Sequence, residues 1–327
     1  MTRQEILEIL KRYNIHSFSK YKELDTTKGN DYRLNVFIDD RYVLRINSDS
    51  ITEERLKSIS RLCERYRKIG IVTPKLYISL EGTYLTKYNA YNCYLSDYLN
   101  YKTEEELENE CNHAQIKKEI LRSIGRLSRL YTNVDLSLIN SMWSIIDLAP
   151  LDVEIDEKQE NLNTLISALE DSGEIDVVNK VIRFNQKNRE AIEKVYKKLP
   201  RCVIQGDLNW SNILVEENHF KGLIDFNMSG TEVNINHFCA ETNREISLDE
   251  FKKHSAPELY KMVIQEQNEN LDVIFEEYLM NDLEKVTLEN YRSIVLISQY
   301  PNVMGYLVFL EEDKNKLIEF INLIIQR

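Results

Sequence analysis

One segment constrains this chain more than any other. Residues 203–230, VIQGDLNWSNILVEENHFKGLIDFNMSG, interrupt two long tracts of helical periodicity with short strand-like runs. Over 202–226 the order reads strand (CVIQ), loop (GDLNWSN), strand (ILVEE), turn, strand (GLIDF). That order places Asp207, Asn212 and Asp225 at strand ends around a hairpin, which gathers two carboxylates and one amide oxygen at one point. Such a set is a hard-oxygen site for Mg²⁺ with a carboxylate to spare as a base. Phosphoryl transfer needs both: oxygen ligands for the metal that bridges the ATP phosphates, and a carboxylate to orient and deprotonate the attacking hydroxyl. Asp and Asn are also ordinary turn formers, but two separate turns would have to reproduce this spacing together.

The flanks set the fold class. After a short amphipathic helix over 1–13, segments 17–23, 32–38 and 42–47 are rich in β-branched and aromatic residues, with Asp39-Asp40-Arg41 where a hairpin turn belongs. Thr52 opens a helix whose stripe runs Leu56, Ile59, Leu62, Cys63, Tyr66, Ile69 and stops at Gly70. Strand-like runs at 75–79 and 83–88 complete a β-β-β-α-β-β order, an antiparallel sheet carrying one helix. Beyond Tyr88 the period turns helical, over 94–101, 103–131, 157–172 and 176–199, and again from about 247 onward. The chain is therefore read as α+β in two lobes, 1–88 and 89–327.

Composition removes other classes. Across 327 residues, 42 Lys+Arg against 54 Asp+Glu leave a net charge of −12, which repels nucleic-acid phosphates and anionic lipid. The five cysteines form no C-x-x-C, and the five histidines no paired spacing, so neither a disulfide framework nor a zinc site is expected. With no signal-peptide pattern and no long uncharged apolar run, a cytoplasmic protein with reduced thiols is expected.

The 202–226 segment resembles the catalytic and metal-binding loops of the aminoglycoside phosphotransferase and choline kinase-like family, whose pattern is H-G-D-x-x-x-x-N followed by I-D-F/W. That family shares the eukaryotic protein-kinase fold, and the upstream β-β-β-α-β-β order resembles its N-terminal lobe. RYVLRIN, residues 41–47, resembles its third strand, which usually ends in lysine. The resemblance implies a two-lobe kinase-like fold, with a five-stranded antiparallel sheet and one helix in the first lobe and a mainly helical second lobe. It implies Asp207 as catalytic base, Asn212 and Asp225 as Mg²⁺ ligands, Arg45 on the α/β-phosphates, and Lys87, Tyr88 and Asn89 as the hinge that meets adenine.

Departures from the pattern carry information too. Gln205 stands where the family has histidine, and Arg45 replaces lysine with a planar fork that needs different partner geometry. Aligned on Thr73-Pro74, the helix puts Ser60 at the position of the ion-pairing glutamate, with Glu53 and Glu64 flanking. The loop between the first two strand-like segments, DTTKGND, holds one glycine rather than G-x-G-x-x-G, so Gly29 and Asn30 are expected at the tip over the phosphates. No A-P-E segment follows Asp225-Phe226, which favours a small-molecule hydroxyl acceptor over a protein. Residues 1–88 carry 17 Lys+Arg and 12 Asp+Glu, or +5, leaving −17 for 89–327, a balance suited to ATP on one lobe and a cationic, amine-bearing acceptor on the other. The expected activity is Mg·ATP-dependent phosphorylation of a small alcohol. The competing reading is a nucleotide-binding pseudokinase, supported by the changes at Arg45, Ser60 and Gln205.

Overall fold

The computed structural model describes residues 1–107 and 110–326. The chain clusters into two compact units, Met1–Ile116 with Asp207–Asn227, and Lys117–Gly206 with Met228–Arg327. The Asp207–Asn227 hairpin thus clusters with the first unit although the sequence around it is helical.

In the first unit, helix α1 (Arg3–Lys11) begins with a capping box, in which Thr2 and Glu5 satisfy each other's backbone donors. Strands β1 (Tyr21–Asp25), β2 (Arg33–Ile38) and β3 (Tyr42–Asn47) follow, joined between β2 and β3 by Asp39 and Asp40, both with φ near +50°. Two successive positive φ values define the tight turn whose twist matches a hairpin, and Asp tolerates them better than most residues. Helix α2 (Glu53–Lys68) is capped by Thr52 and ends before Gly70, whose φ of +88° lets the chain leave the helix. Strands β4 (Thr86–Tyr88) and β5 (Tyr91–Asp97) close a five-stranded antiparallel sheet in the order β1-β2-β3-β5-β4. Its inner face buries Val36, Ile38, Leu44, Ile46, Cys93 and Leu95 against Ile6, Ile9 and Leu10 of α1.

Two expectations are displaced here. Residues 75–79 form no strand and contribute a single bridge, Leu76 to Ser96. The stretch expected to begin the helical part, 94–101, instead supplies most of β5, whose tyrosines belong to the sheet of the first unit. Cys93 to Ser96 are all buried, so no polar face appears at alternate positions. Tyr91, Tyr94, Leu95 and Tyr98 meanwhile recur at helical spacing by coincidence.

The same unit holds β6 (Lys102–Thr103), α3 (Glu104–Leu107) and the start of α4 (His113–Tyr131). The second unit contains α5 (Glu157–Asp171), α6 (Ile175–Glu193) and β7 (Arg201–Ile204). The chain then returns to the first unit for β8 (Ile213–Glu216) and β9 (His219–Leu223), which with β6 make a three-stranded sheet in the order β6-β8-β9. Gly222 lies so close to Val72 that a Cβ would meet the Val72 carbonyl oxygen at 2.2 Å, which is why that strand carries glycine there. The second unit resumes with β10 (Gly230–Val233), paired to β7, and α7 (Asn234–Glu241), both unmarked by the sequence pattern. Helices α8 (Leu248–Lys253), α9 (Ala256–Phe275), α10 (Asp282–Ser298), α11 (Tyr300–Glu312) and α12 (Lys314–Ile325) complete it. Its core joins α5, α6 and α8–α12 through residues such as Leu165, Val181, Leu259, Ile297 and Phe320. Among the described residues no single helix is long and apolar enough to cross a membrane.

Candidate active site

Asp207 follows Gly206, whose φ is +83°. A side chain at 206 would meet the Met228 carbonyl oxygen at 2.4 Å, so glycine is required both for the turn and for the close approach. The Trp143 indole N–H also donates to the Gly206 carbonyl at 2.8 Å, fixing the last residue before the loop. Gln205 is buried one position earlier.

Within the first unit the loop is closed by its own amides. Asn209 Nδ2 donates to Asp207 Oδ1 at 2.8 Å, and Asn212 Nδ2 donates to Asp207 Oδ2 at 2.8 Å and to the Asp207 carbonyl at 3.0 Å. With its Nδ2 so used, buried Asn212 offers its Oδ1 to a cation. The backbone of Asn212 accepts the N–H of Ile224 at 3.0 Å, which brings the end of β9 alongside the loop. The next residue, Asp225, has φ +50°, a left-handed conformation costing about 1–3 kcal/mol in a non-glycine residue. The strain persists because both sides are tied: Ile224 by Asn212, and buried Phe226 by an edge-on contact with Tyr66 of α2 at 5.8 Å. Asp225 Oδ1 accepts the N–H of Asn227 at 3.3 Å and lies 3.8 Å from Arg45 Nη1. Burial, aided by the Asp225 charge and opposed by the two amide hydrogen bonds, raises the Asp207 carboxyl above the ordinary carboxylate range. The structure therefore brings Arg45, Asp207, Asn212 and Asp225 together, and the donor set fits a hard divalent cation: one carboxylate, one uncommitted amide oxygen, and a second carboxylate hydrogen-bonded beside them.

Arg45 lies opposite Tyr94 on β5, its guanidinium 6.0 Å from the ring centre. The three α2 candidates for its partner are engaged elsewhere. Glu53 accepts the backbone N–H groups of Tyr84 and Leu85 at 3.2 and 2.9 Å, Ser60 donates to the Tyr84 hydroxyl at 3.1 Å, and Glu64 pairs with Lys68 at 2.9 Å. The position that carries a glutamate in the resembled family thus serves here to anchor the chain entering β4, and Asp225 supplies the carboxylate near Arg45.

A cavity of about 660 Å³ in the first unit is lined by Val43 and Arg45 of β3, Ser96 and Asp97 of β5, Tyr98 and Leu99 beyond it, and Leu214 and Ile224 of the hairpin. Its size suits a nucleotide-sized ligand. Lys87, Tyr88 and Asn89 do not line it. Lys87 and Tyr88 end β4, paired with Asn92 and Tyr91, and Asn89 begins the turn into β5 with φ +54°, while Arg12 of α1 donates to the Lys87 carbonyl. The shift follows from β5: once 91–97 is a strand, the chain leaves the sheet at Asp97 rather than at Tyr88. Gly29 and Asn30 occupy the tip of the β1–β2 loop as expected, in a turn closed by mutual hydrogen bonds between Lys28 and Asp31.

A family model described as the phosphotransferase enzyme family (APH) matches residues 27–232, more than half of the chain. The chain belongs to the phosphotransferase enzyme family. Solved structures in this fold include a spectinomycin phosphotransferase, APH(9)-Ia, in complex with ADP and spectinomycin, at 13% identity and TM-score 0.50 over 100% of this chain and 99% of that one. The streptomycin-ATP-APH(2")-IIa ternary complex aligns at 14% identity and TM-score 0.50 over 98% of each chain. The amicoumacin kinase hAmiN, in complex with AMP-PNP, Ca²⁺ and Ami, aligns at 11% identity and TM-score 0.51 over 100% of this chain and 94% of that one. At these identities the likeness speaks for the fold, which for this family member is α+β and protein-kinase-like. No curated protein matches the sequence significantly.

Proposed function

We propose that this phosphotransferase moves the γ-phosphoryl group of ATP, with Mg²⁺, to a hydroxyl of a small, amine-bearing molecule. The observation that carries the reading is the Asp207, Asn212 and Asp225 cluster joined to Arg45 at the wall of a nucleotide-sized cavity. When bound, Mg·ATP supplies the transferable phosphoryl group and the cation that screens its charge. Asp207 accepts the proton of the acceptor hydroxyl as its oxygen attacks phosphorus and ADP leaves, and its raised pKa makes it a stronger base than an ordinary carboxylate. Asn212 and Asp225 present oxygens to the metal. Arg45 sets a permanent positive charge against the α/β-phosphates, with Gly29 and Asn30 over them.

For the adenine we propose the wall at Asp97–Leu99 in place of Lys87–Asn89. The N–H groups of Asp97 and Tyr98 are committed to the Lys75 and Arg41 carbonyls at 3.0 and 2.8 Å, which leaves Leu99 N–H as the next donor along the wall. The division into a nucleotide lobe over 1–88 and a catalytic and acceptor lobe over 89–327 is retained as a functional proposal, although the compact units divide elsewhere. A cytoplasmic location fits substrates of this kind.

The decisive experiment measures ADP release from ATP, and GDP release from GTP, with and without Mg²⁺, across a panel of aminoglycosides, amino alcohols and sugars. Acceptor-stimulated, Mg²⁺-dependent release is expected. Nucleotide that raises the unfolding temperature equally with and without Mg²⁺, and no turnover with any acceptor, would favour the pseudokinase reading.

A further inference from the structure

Outside the Asp207 cluster, three dissimilar ligands converge in the first unit. Glu104 opens α3, His113 opens α4, and Cys111 stands two residues before it. Cys111 Sγ lies 3.6 Å from His113 Nδ1, the same Nδ1 lies 2.6 Å from Glu104 Oε1, and one ligand atom from each residue falls within 4.8 Å of the others. We propose that Glu104, Cys111 and His113 form a Zn²⁺ site, with water in the fourth position.

The chemistry and the distances agree. A thiolate, an imidazole and a carboxylate make a donor set that suits zinc and is too soft for Mg²⁺. With Zn–S about 2.3 Å and Zn–N about 2.0 Å, tetrahedral geometry separates sulfur from nitrogen by about 3.5 Å. The 3.6 Å found between Cys111 and His113 matches it. The Glu104 to His113 contact is a hydrogen bond that the ion would replace, with Glu104 Oε1 drawing back to about 3.3 Å. Thiolate and carboxylate together cancel the ion's charge, which suits a site where the Glu104 side chain is only 4% exposed. On binding, the S–Zn bond takes the place of the thiol proton, which leaves to solvent, and His113 keeps its remaining proton on Nε2. The spacing, Cys-x-His with a glutamate seven residues before the cysteine, matches no zinc motif, and the helix start and the loop bring the three together only in space.

Occupancy would reach the active-site loop. The His113 ring stacks on Trp210, centroids 4.6 Å apart and planes 16° from parallel, and Glu105 N–H donates to the Trp210 carbonyl at 3.1 Å. Trp210 lies between Asp207 and Asn212 in sequence, so an ion on His113 would tie that loop to α3 and α4.

The test uses the full chain stripped of metal and titrated with Co²⁺ as a spectroscopic probe, then with Zn²⁺ in competition with a chromogenic chelator. One thiolate-bound Co²⁺ per chain, marked by a thiolate-to-metal charge-transfer band and distinct from any Co²⁺ on the oxygens of Asn212 and Asp225, is expected, and Zn²⁺ affinity at this site should fall at least about 100-fold in Cys111→Ser, His113→Gln and Glu104→Gln, beyond the ~10–100-fold typical of losing a supporting group. The band reports on Cys111 because Cys63, Cys93, Cys202 and Cys239 are buried. Alkylation of Cys111 in the folded wild type, which should abolish the band, covers the case of a variant that does not fold. Asp207→Asn should bind zinc as wild type does, separating this site from the proposed catalytic one. A cobalt spectrum without the thiolate band, or any of the three ligand variants binding Zn²⁺ within about threefold of wild type, overturns the assignment.

Discussion

Replacing Asp207 by asparagine removes a base while leaving almost the same shape, and the structure lets the two consequences be weighed separately. Asp207 accepts Asn209 Nδ2 on one oxygen and Asn212 Nδ2 on the other, each at 2.8 Å. An amide has one oxygen, so one of these bonds becomes a donor facing a donor, costing about 1–2 kcal/mol. Relief of the repulsion from Asp225 and of the burial of a charge offsets part of that. The bond from Asn212 Nδ2 to the residue 207 carbonyl is untouched, so Asn212 keeps its orientation. Net stability should change by no more than about 1 kcal/mol, or roughly 1–2 °C in Tm for a chain of 327 residues. Loss of general-base catalysis, in contrast, costs about 10²–10⁴ in kcat, equivalent to about 2.7–5.4 kcal/mol of barrier. The assay is acceptor-dependent ADP release, with thermal unfolding and nucleotide KM measured on the same preparation. A kcat within about threefold of wild type refutes the assignment of the base. A large kcat loss accompanied by a Tm fall beyond about 8 °C refutes the weighing of local interactions.

Other expectations follow from single contacts. Arg45→Met should raise the KM for nucleotide about tenfold or more, from losing a charged contact of about 1.5–3 kcal/mol, with Arg45→Lys intermediate; steady-state kinetics with varied ATP check it. Gly206→Ala should destabilise the protein by about 2–4 kcal/mol in denaturant unfolding, because the left-handed φ and the 2.4 Å approach to the Met228 carbonyl both oppose a Cβ. The raised carboxyl of Asp207 places the acid limb of kcat/KM above the ordinary carboxylate range. The native state also holds that proton to higher pH than the unfolded chain, so the stability it contributes is full below the unfolded pKa and is lost as pH rises through the folded one. In denaturant unfolding, the stability of the wild type relative to Asp207→Asn should therefore decline as pH rises above the ordinary carboxylate range, because the other raised carboxyls, Asp152, Glu157, Glu232 and Glu284, titrate in both proteins and cancel in the difference. Asp225→Ala should abolish any Mg²⁺ dependence in the stabilisation by ATP, read as a thermal shift.

Much of the fold was legible because its signals are local. Thr52 and Gly70 bracket α2, and Asp39-Asp40 turns β2 into β3, since caps and turns depend on a few neighbouring residues. The strand β5 was not legible, because a strand buried on both faces loses the alternation that marks one, and its tyrosines happen to recur at helical spacing. That single element puts Asp97–Leu99, and not Lys87–Asn89, along the cavity of the first unit.

By itself the sequence determined which oxygens of Asp207, Asn212 and Asp225 can meet, since residue type and spacing across one hairpin fix that, and it determined the α+β class through the order of its elements, the kinase-like fold following from the resemblance of that hairpin to its family. Only the tertiary structure decided what surrounds them: that Arg45 faces Asp225 while Glu53 caps backbone donors, that the cavity wall lies beyond β5, and that Glu104, Cys111 and His113 share one point. The difference is one of range. Local hydrogen bonds and dihedral preferences are written in a few consecutive residues, whereas side chains tens of positions apart meet only after the core has chosen a packing that no short stretch of sequence specifies.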